Sequence, residues 1–345
     1  KMFVKMGYSV KFLGDNFLHE EPYSTTLQQM GVEILYGPGY QAGIWDWLTK
    51  NKDEIDGAYL NRPHIATKYV DFIKENTNIK VIYYGHDLHF LREYREYELT
   101  GDIQKKRESD YWKSIEFSLM EKATVSYYPS YVEEEAIHAI HPEYKIRAIT
   151  AYVYEKFLEN IDKDFEKREG LLFVGGFAHP PNADAVLWFA KEIFPLIRQK
   201  LDVNFYVVGS KVTDEIKALE QPGSGIIVKG FVTEEELASL YATSRIVVVP
   251  LRYGAGVKGK VVEAVYNGSA IVTTSIGSEG IPEAERVMKV ADGPEAFADE
   301  VVKMYEDPTE CRRMCEETQK YIREYFSVEA AWKVIEEDFT PEKKR

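Results

Sequence analysis

Short runs that are apolar at nearly every position recur along this chain, and stretches of helical period separate most of them. Residues 246–250 read IVVVP and residues 203–209 read VNFYVVG, with no polar face for solvent. Strands of that kind are covered on both sides, which is the condition of a parallel sheet between two layers of helices. The first half places strands at 8–13, 32–36, 57–60, 79–84, 123–128 and 146–149, with helices at 42–51, 65–75, 110–122 and 131–139. The second half places strands at 171–174, 203–208, 225–228, 246–250, 270–273 and 287–290. Its helices fall at 183–199, 214–220, 234–242, 259–266 and 295–305. A βαβ order repeated in both halves predicts an α/β chain of two Rossmann-like, doubly wound parallel-sheet domains facing a cleft.

A length of 345 residues agrees with two domains. The charge-dense stretch 151–170 contains no strand pattern and reads as the hinge, so the expected domains are 1–160 and 161–325. Residues 311–326 and 328–339 read as helices too polar for a core. The segment 326–345 is expected to cross back to the first domain. The chain opens on KMFVKMG, the end of an amphipathic helix followed at once by a strand. A parallel α/β domain would place a strand and turn before that helix, so a longer polypeptide or about 20 lost residues is expected.

Charge and cysteine content narrow the function classes. A net charge of −14 argues against nucleic acid as a general partner. The two cysteines, Cys311 and Cys315, lie four apart without a second pair at metal spacing, so neither zinc nor a structural disulfide is expected. No apolar run approaches the ~18 residues of a membrane helix. The expected location is the cytoplasm, with the inner membrane face as a second place.

In a doubly wound sheet, ligands bind where strands end and helix N-termini begin. The densest such exit is PLRYGAGVKGKVVEAVYNGSAIVTT, residues 250–274. Gly254, Gly256 and Gly259 let backbone amides come close to a ligand. Lys258 and Lys260 put cations at a helix N-terminus, where they oppose the helix dipole; a bound pyrophosphate would relieve that cost. Glu263 is one turn further on the same face and suits the vicinal hydroxyls of a ribose. The competing reading is a plain Lys260–Glu263 surface ion pair.

This segment resembles the donor-binding region of the GT-B glycosyltransferases, in particular the retaining family 4 type (glycosyl transferases group 1). The resemblance covers most of 170–292 well and the N-terminal half more loosely. It implies that Glu263 holds the ribose and that the amides of Gly256, Val257 and Lys258 face phosphate and sugar. The family pattern has two glutamates separated by seven residues. The second matches Glu263, whereas the first, which normally contacts the donor sugar, falls on Ala255.

A second glycine turn, Gly175–Gly176, ends the strand LLFV, and Asn182 is positioned to cap the helix after it. Family members often follow this turn with an Arg and a Lys that grip the diphosphate. Here Phe177, Ala178 and His179 stand there instead, so Arg252, Lys258 and Lys260 are the candidates for that charge. By the same resemblance, Gly209, Ser210, Gly230, Phe231 and Val232 surround the nucleotide base; packing in the core is the other reading of Phe231 and Val232. The loop 274–279 also faces the cleft in this topology.

In the first half, Gly85–His86–Asp87 sits at the exit of KVIYY. A histidine there can move a proton or bond a sugar hydroxyl, and many GT-B enzymes carry one at a comparable exit. His86 and Asp87 are therefore the catalytic candidates, against a simple cap-and-pair role. Arg92 and Arg95 follow at helical spacing. Arg62, His64 and Arg92 are the acceptor candidates; Arg62 and His64 also suit a helix cap. The run Lys105–Lys106–Arg107 reads as a solvated face.

The expected activity is glycosyl transfer of a hexosyl or deoxyhexosyl unit from a nucleotide-diphosphate sugar to a hydroxyl of a glycan or glycoconjugate in polysaccharide biosynthesis. The resemblance implies retention. Lysines and helix N-termini can supply the positive potential, so no metal and no cofactor are expected. Two alternatives stay open: a non-catalytic glycan- or nucleotide-binding module of the same fold, and a nucleotide-sugar epimerase.

Overall fold

A computed structural model describes residues 1–159, 165–254 and 256–339. Among them are twelve strands, all paired in parallel. In the first half β1 (Lys11–Leu13) pairs with β2 (Glu33–Leu35). A second sheet has β3 (Gly57–Asn61), β4 (Lys80–Tyr84), β5 (Val125–Tyr128) and β6 (Ile146–Ala148) in sequence order. The second half forms one sheet from β7 (Leu171–Val174), β8 (Phe205–Val208), β9 (Ile226–Gly230), β10 (Ile246–Val249), β11 (Ile271–Thr273) and β12 (Lys289–Val290). Its order is β12-β11-β10-β7-β8-β9. The winding therefore reverses between β7 and β10, where Ile246 faces Leu171 and Val247 faces Leu172. A crevice opens beyond the C-terminal ends of two strands that part in this way.

The apolar runs became the central strands for the expected reason: β5, β10 and β11 are buried at every residue. One predicted helix is broken. Residues 183–199 form Pro180–Trp188, a π-helical turn Phe189–Ile193, and Phe194–Arg198. Pro195 has no N–H to extend the ladder, so the turn widens around it.

The C-terminal helices correct the expectation that they are too polar for a core. Pro308–Tyr325 buries Cys311, Met314, Cys315, Thr318, Tyr321 and Ile322 on one stripe, and five of these belong to the second domain's core. Val328–Phe339 packs Ala331 and Ile335 against Ile82, Tyr84, Val125, Tyr127 and Ile149 of the first domain. The Tyr127 hydroxyl donates to Asp338 at 2.7 Å, and that of Tyr8 to the Phe339 carbonyl at 2.7 Å. The chain thus crosses between the domains twice. The crossings touch: Tyr154 N–H donates to Phe326 O at 2.8 Å, and Tyr154 and Ser327 form a parallel bridge. No described helix is long and apolar enough to cross a membrane.

Candidate active site

The exits of β7 and β10 meet at the crevice. After β10 the chain runs through the glycine loop into the helix Gly259–Tyr266, which buries Val261, Val262, Ala264 and Val265. That packing turns Lys260 back toward the β7 exit. Its ammonium donates to Asn182 Oδ1 and lies 4.8 Å from the centre of the Phe173 ring. Among the described residues no carboxylate pairs with it. Burial, helped by the neighbouring Lys258 charge, lowers the Lys260 pKa to about 7. The proposed Lys260–Glu263 ion pair is therefore not formed. Glu263 is half-buried, and burial raises its pKa. Among the described residues its carboxylate has no hydrogen-bond partner.

Asn182 has a different role from the expected cap. His179 occupies the N-cap position, and Asn182 is the third residue of the helix. Its Nδ2 donates to Gly176 O at 2.7 Å while its Oδ1 accepts a hydrogen bond from the Lys260 ammonium. One buried amide thus joins the two glycine turns. The β8 exit closes on them as well. A Cβ on Gly209 would lie 1.9 Å from Gly175 O, so only glycine fits there. Gly176 faces Ser210 Oγ, and Gly230 O accepts from Gly209 N–H at 2.8 Å. At this end Phe231 is 82% exposed, which rules out the core reading for it and leaves a free aromatic face. Val232 is partly buried against the domain core. Arg252 is committed elsewhere: its guanidinium bonds both oxygens of Asp184 and lies over Trp188.

The first domain contributes the exits of β3 and β4. Arg62 and His86 both adopt left-handed backbone, φ 65° and 68°. Such conformations in non-glycine residues concentrate at functional sites. Arg62 is the N-cap of Pro63–Asn76 through its backbone only; its side chain makes no capping bond, and His64 is exposed. Burial, then the nearby Arg62 charge, lowers the His86 pKa to about 4, so the ring is neutral near pH 7. Asp87 is held by Arg92 and lies 3.4 Å from His89. Arg92 also bonds Glu93 at 3.0 Å, so its guanidinium is already engaged. Neither His86 nor Asp87 caps the helix His89–Thr100. Glu116, fully buried on another helix, does so by accepting from the N–H groups of His89 at 3.0 Å and Phe90 at 3.2 Å.

The domains touch through the glycine loop. Gly256, φ 73°, is wedged against Glu133, Asp87 and His86 O. Glu133 lies in the capping box of Tyr131–His138, where its Oε2 accepts from Ser130 N and Oγ; its Oε1 is buried and has no partner among the described residues. Burial raises the Glu133 pKa to about 7. Lys258 donates to Gly256 O and lies 3.7 Å from Glu279. Val257 lines a junction cavity of about 460 Å³ beside Ser130, Thr150 and Gly280. Ala255 lies outside the described residues. Among them, no group of three His, Cys, Asp or Glu side chains could hold a metal ion.

Residues 168–307 match the family model described as Glycosyl transferases group 1. Sucrose-phosphate synthase from Thermosynechococcus elongatus superposes with a TM-score of 0.72 at 14% identity, over 98% of this chain and 90% of that one. Anabaena HepE, solved with UDP and glucose, gives 0.66 at 14% identity over 96% and 99%. The chain has the GT-B fold. In GT-B terms, the β7/β10 crevice faces the other domain across the glycine loop. An uncharacterized 44.6 kDa protein in the cps region of Klebsiella pneumoniae is 32% identical over 116 residues. That stretch is 32% of this chain and 30% of the relative, so the match spans under a third of the relative's length.

Four residues at this GT-B cleft were given no role by the sequence: Glu116 and Glu133, which it did not mark, Arg95, noted only for its helical spacing, and Glu279, noted only as the end of a cleft-facing loop. A capping box, Ser130-x-x-Glu133, was legible for one of them. The other three act through partners distant in sequence.

Proposed function

We propose that this protein is a glycosyltransferase that moves a sugar from a nucleotide-diphosphate sugar to a hydroxyl of a glycan or glycoconjugate. The observation that carries this reading is that Lys260, a buried cation, and Glu263, a half-buried carboxylate, stand at one crevice and, among the described residues, Lys260 faces no carboxylate and the Glu263 side chain has no hydrogen bond. A sugar nucleotide satisfies both: the diphosphate meets Lys260 and the amides of the glycine turns, and the ribose hydroxyls meet Glu263. Phe231 offers an exposed ring for the base. HepE, solved with UDP, and the relative in a cps region support the same chemistry and a role in polysaccharide biosynthesis.

In the reaction the bond from the anomeric carbon to the diphosphate breaks and a bond to the acceptor oxygen forms. The acceptor proton leaves with the nucleoside diphosphate. Lys260, Lys258 and the helix N-terminus stabilise the charge that grows on the leaving group. Retention follows if the acceptor attacks on the leaving-group side. The protein's own cations supply the potential that a metal would otherwise bring. Neutral His86 is suited to hydrogen-bond a donor-sugar hydroxyl, and Asp87 acts through Arg92 and His89 to hold that loop.

Thermal shifts with UDP, ADP, GDP and dTDP test the reading. At least one should raise Tm, and Glu263→Ala should remove most of that rise. No shift from any of them overturns the proposal. Binding without turnover across a panel of sugar nucleotides would instead point to a non-catalytic module.

A further inference from the structure

Arg95 lies on the helix His89–Thr100 of the first domain, yet all its described hydrogen bonds and ion pairs are to the second. Its Nη1 donates to Gly254 O in the glycine loop at 2.8 Å and to Glu279 Oε1 at 2.9 Å, with Glu279 Oε2 at 2.7 Å. Among the described residues Glu279 is the carboxylate paired with Lys258, in a loose ion pair 3.7 Å from its ammonium. That separation exceeds a direct hydrogen bond, whereas the Arg95 contacts are direct. The carboxylate between two cations is therefore held by the one from the opposite domain. Lys258 turns its own bond inward, to Gly256 O.

We propose that Arg95 is a positioning residue for donor binding, which keeps the Lys258–Glu279 ion pair loose by holding the carboxylate itself and fixes Gly254 beside the diphosphate site. The inference rests on the donor reading of the glycine loop. Without Arg95, Glu279 is free to close the remaining gap to Lys258. A tight, hydrogen-bonded Lys258–Glu279 pair would tie up the ammonium that a phosphate needs and present a carboxylate to an anion. Because Arg95 belongs to the acceptor-side domain, the second domain's donor loop has its full positive potential only while the domains are in contact. This links the contact of the domains to occupancy of the donor site.

The role predicts a pattern that loss of packing does not produce. Arg95→Ala should weaken binding of the nucleoside diphosphate that stabilises the wild type, and of inorganic pyrophosphate, by tenfold or more in calorimetry. Arg95→Ala combined with Glu279→Gln should recover most of that affinity, because the competing charge is gone although the domain contact is still missing. Arg95→Lys should stay within about threefold of wild type. Circular dichroism and Tm of each apo variant report folding separately. If the double variant binds no better than Arg95→Ala, or Arg95→Ala binds like wild type, the role is wrong while the donor reading stands. If the wild type binds neither a nucleoside diphosphate nor pyrophosphate, both fall.

Discussion

Lys260 sits in a place that is poor for an ammonium and good for an ammonium with a phosphate. Its folded pKa, about 7 against the usual 10.5, means that the empty site holds the proton weakly. A bound diphosphate favours the charged form. Binding between pH 7 and 9 should therefore take up a proton, and affinity should fall as pH rises through that window. Calorimetry in two buffers of different ionisation enthalpy measures the uptake, and Lys260→Met should abolish it. The same substitution should leave the apo protein as stable as wild type or more so at pH 6, because a buried charge gives way to an apolar chain of similar length. The glycines, Lys258, Lys260 and Glu263 were legible because they are neighbours in sequence at a strand exit. The commitment of Arg252 to Asp184 was not, since 68 residues separate them. Nor could spacing show that Arg92 is engaged by Asp87, since helical spacing fits an exposed acceptor contact equally well.

At the level of elements, the strands were the easiest to read and the helix ends the hardest. β7 spans the predicted residues, because LLFV is apolar throughout and ends at a glycine pair. The helix His89–Thr100 was visible only as arginine spacing, because its first turn is capped by Glu116 from elsewhere and not by a local Ser, Thr or Asp. Polarity misled in the helix Pro308–Tyr325. An average over the segment hides one narrow buried stripe, and it is the stripe that decides packing. The helix Val328–Phe339 belongs to the second half of the sequence but packs on the first domain, through Ala331 and Ile335. Ile335 is almost fully buried against the first domain, so Ile335→Ala should cost roughly 2–5 kcal/mol in urea unfolding. The first domain should bear that loss, so tryptophan fluorescence, to which Trp45, Trp47, Trp112 and Trp332 contribute from the first half and this helix, should shift in midpoint with it.

Across the whole molecule, what the sequence left unreadable lies mostly between the domains. Arg95 reaches residues 159 and 184 positions away, and no local pattern announces such a pair. Glu133 marks the same boundary. Its folded pKa of about 7 stands above the ordinary 4.5 because burial penalises the carboxylate. A raised carboxyl pKa gives a contribution to stability that is complete below about pH 4.5 and is lost as pH rises through 7. On that basis Glu133 should remove up to about 3 kcal/mol between pH 5 and 8. Glu133→Gln should flatten that part of the Tm–pH curve. The paired crossings at Tyr154 and Phe326–Ser327 bear on how such a boundary can move. A single connecting strand would let the halves twist freely about it, whereas two adjoining strands tied by a backbone hydrogen bond resist twisting and leave swinging as the easy motion. A hinge that only swings would return the guanidinium of Arg95 to the same carbonyl, that of Gly254, at every closure.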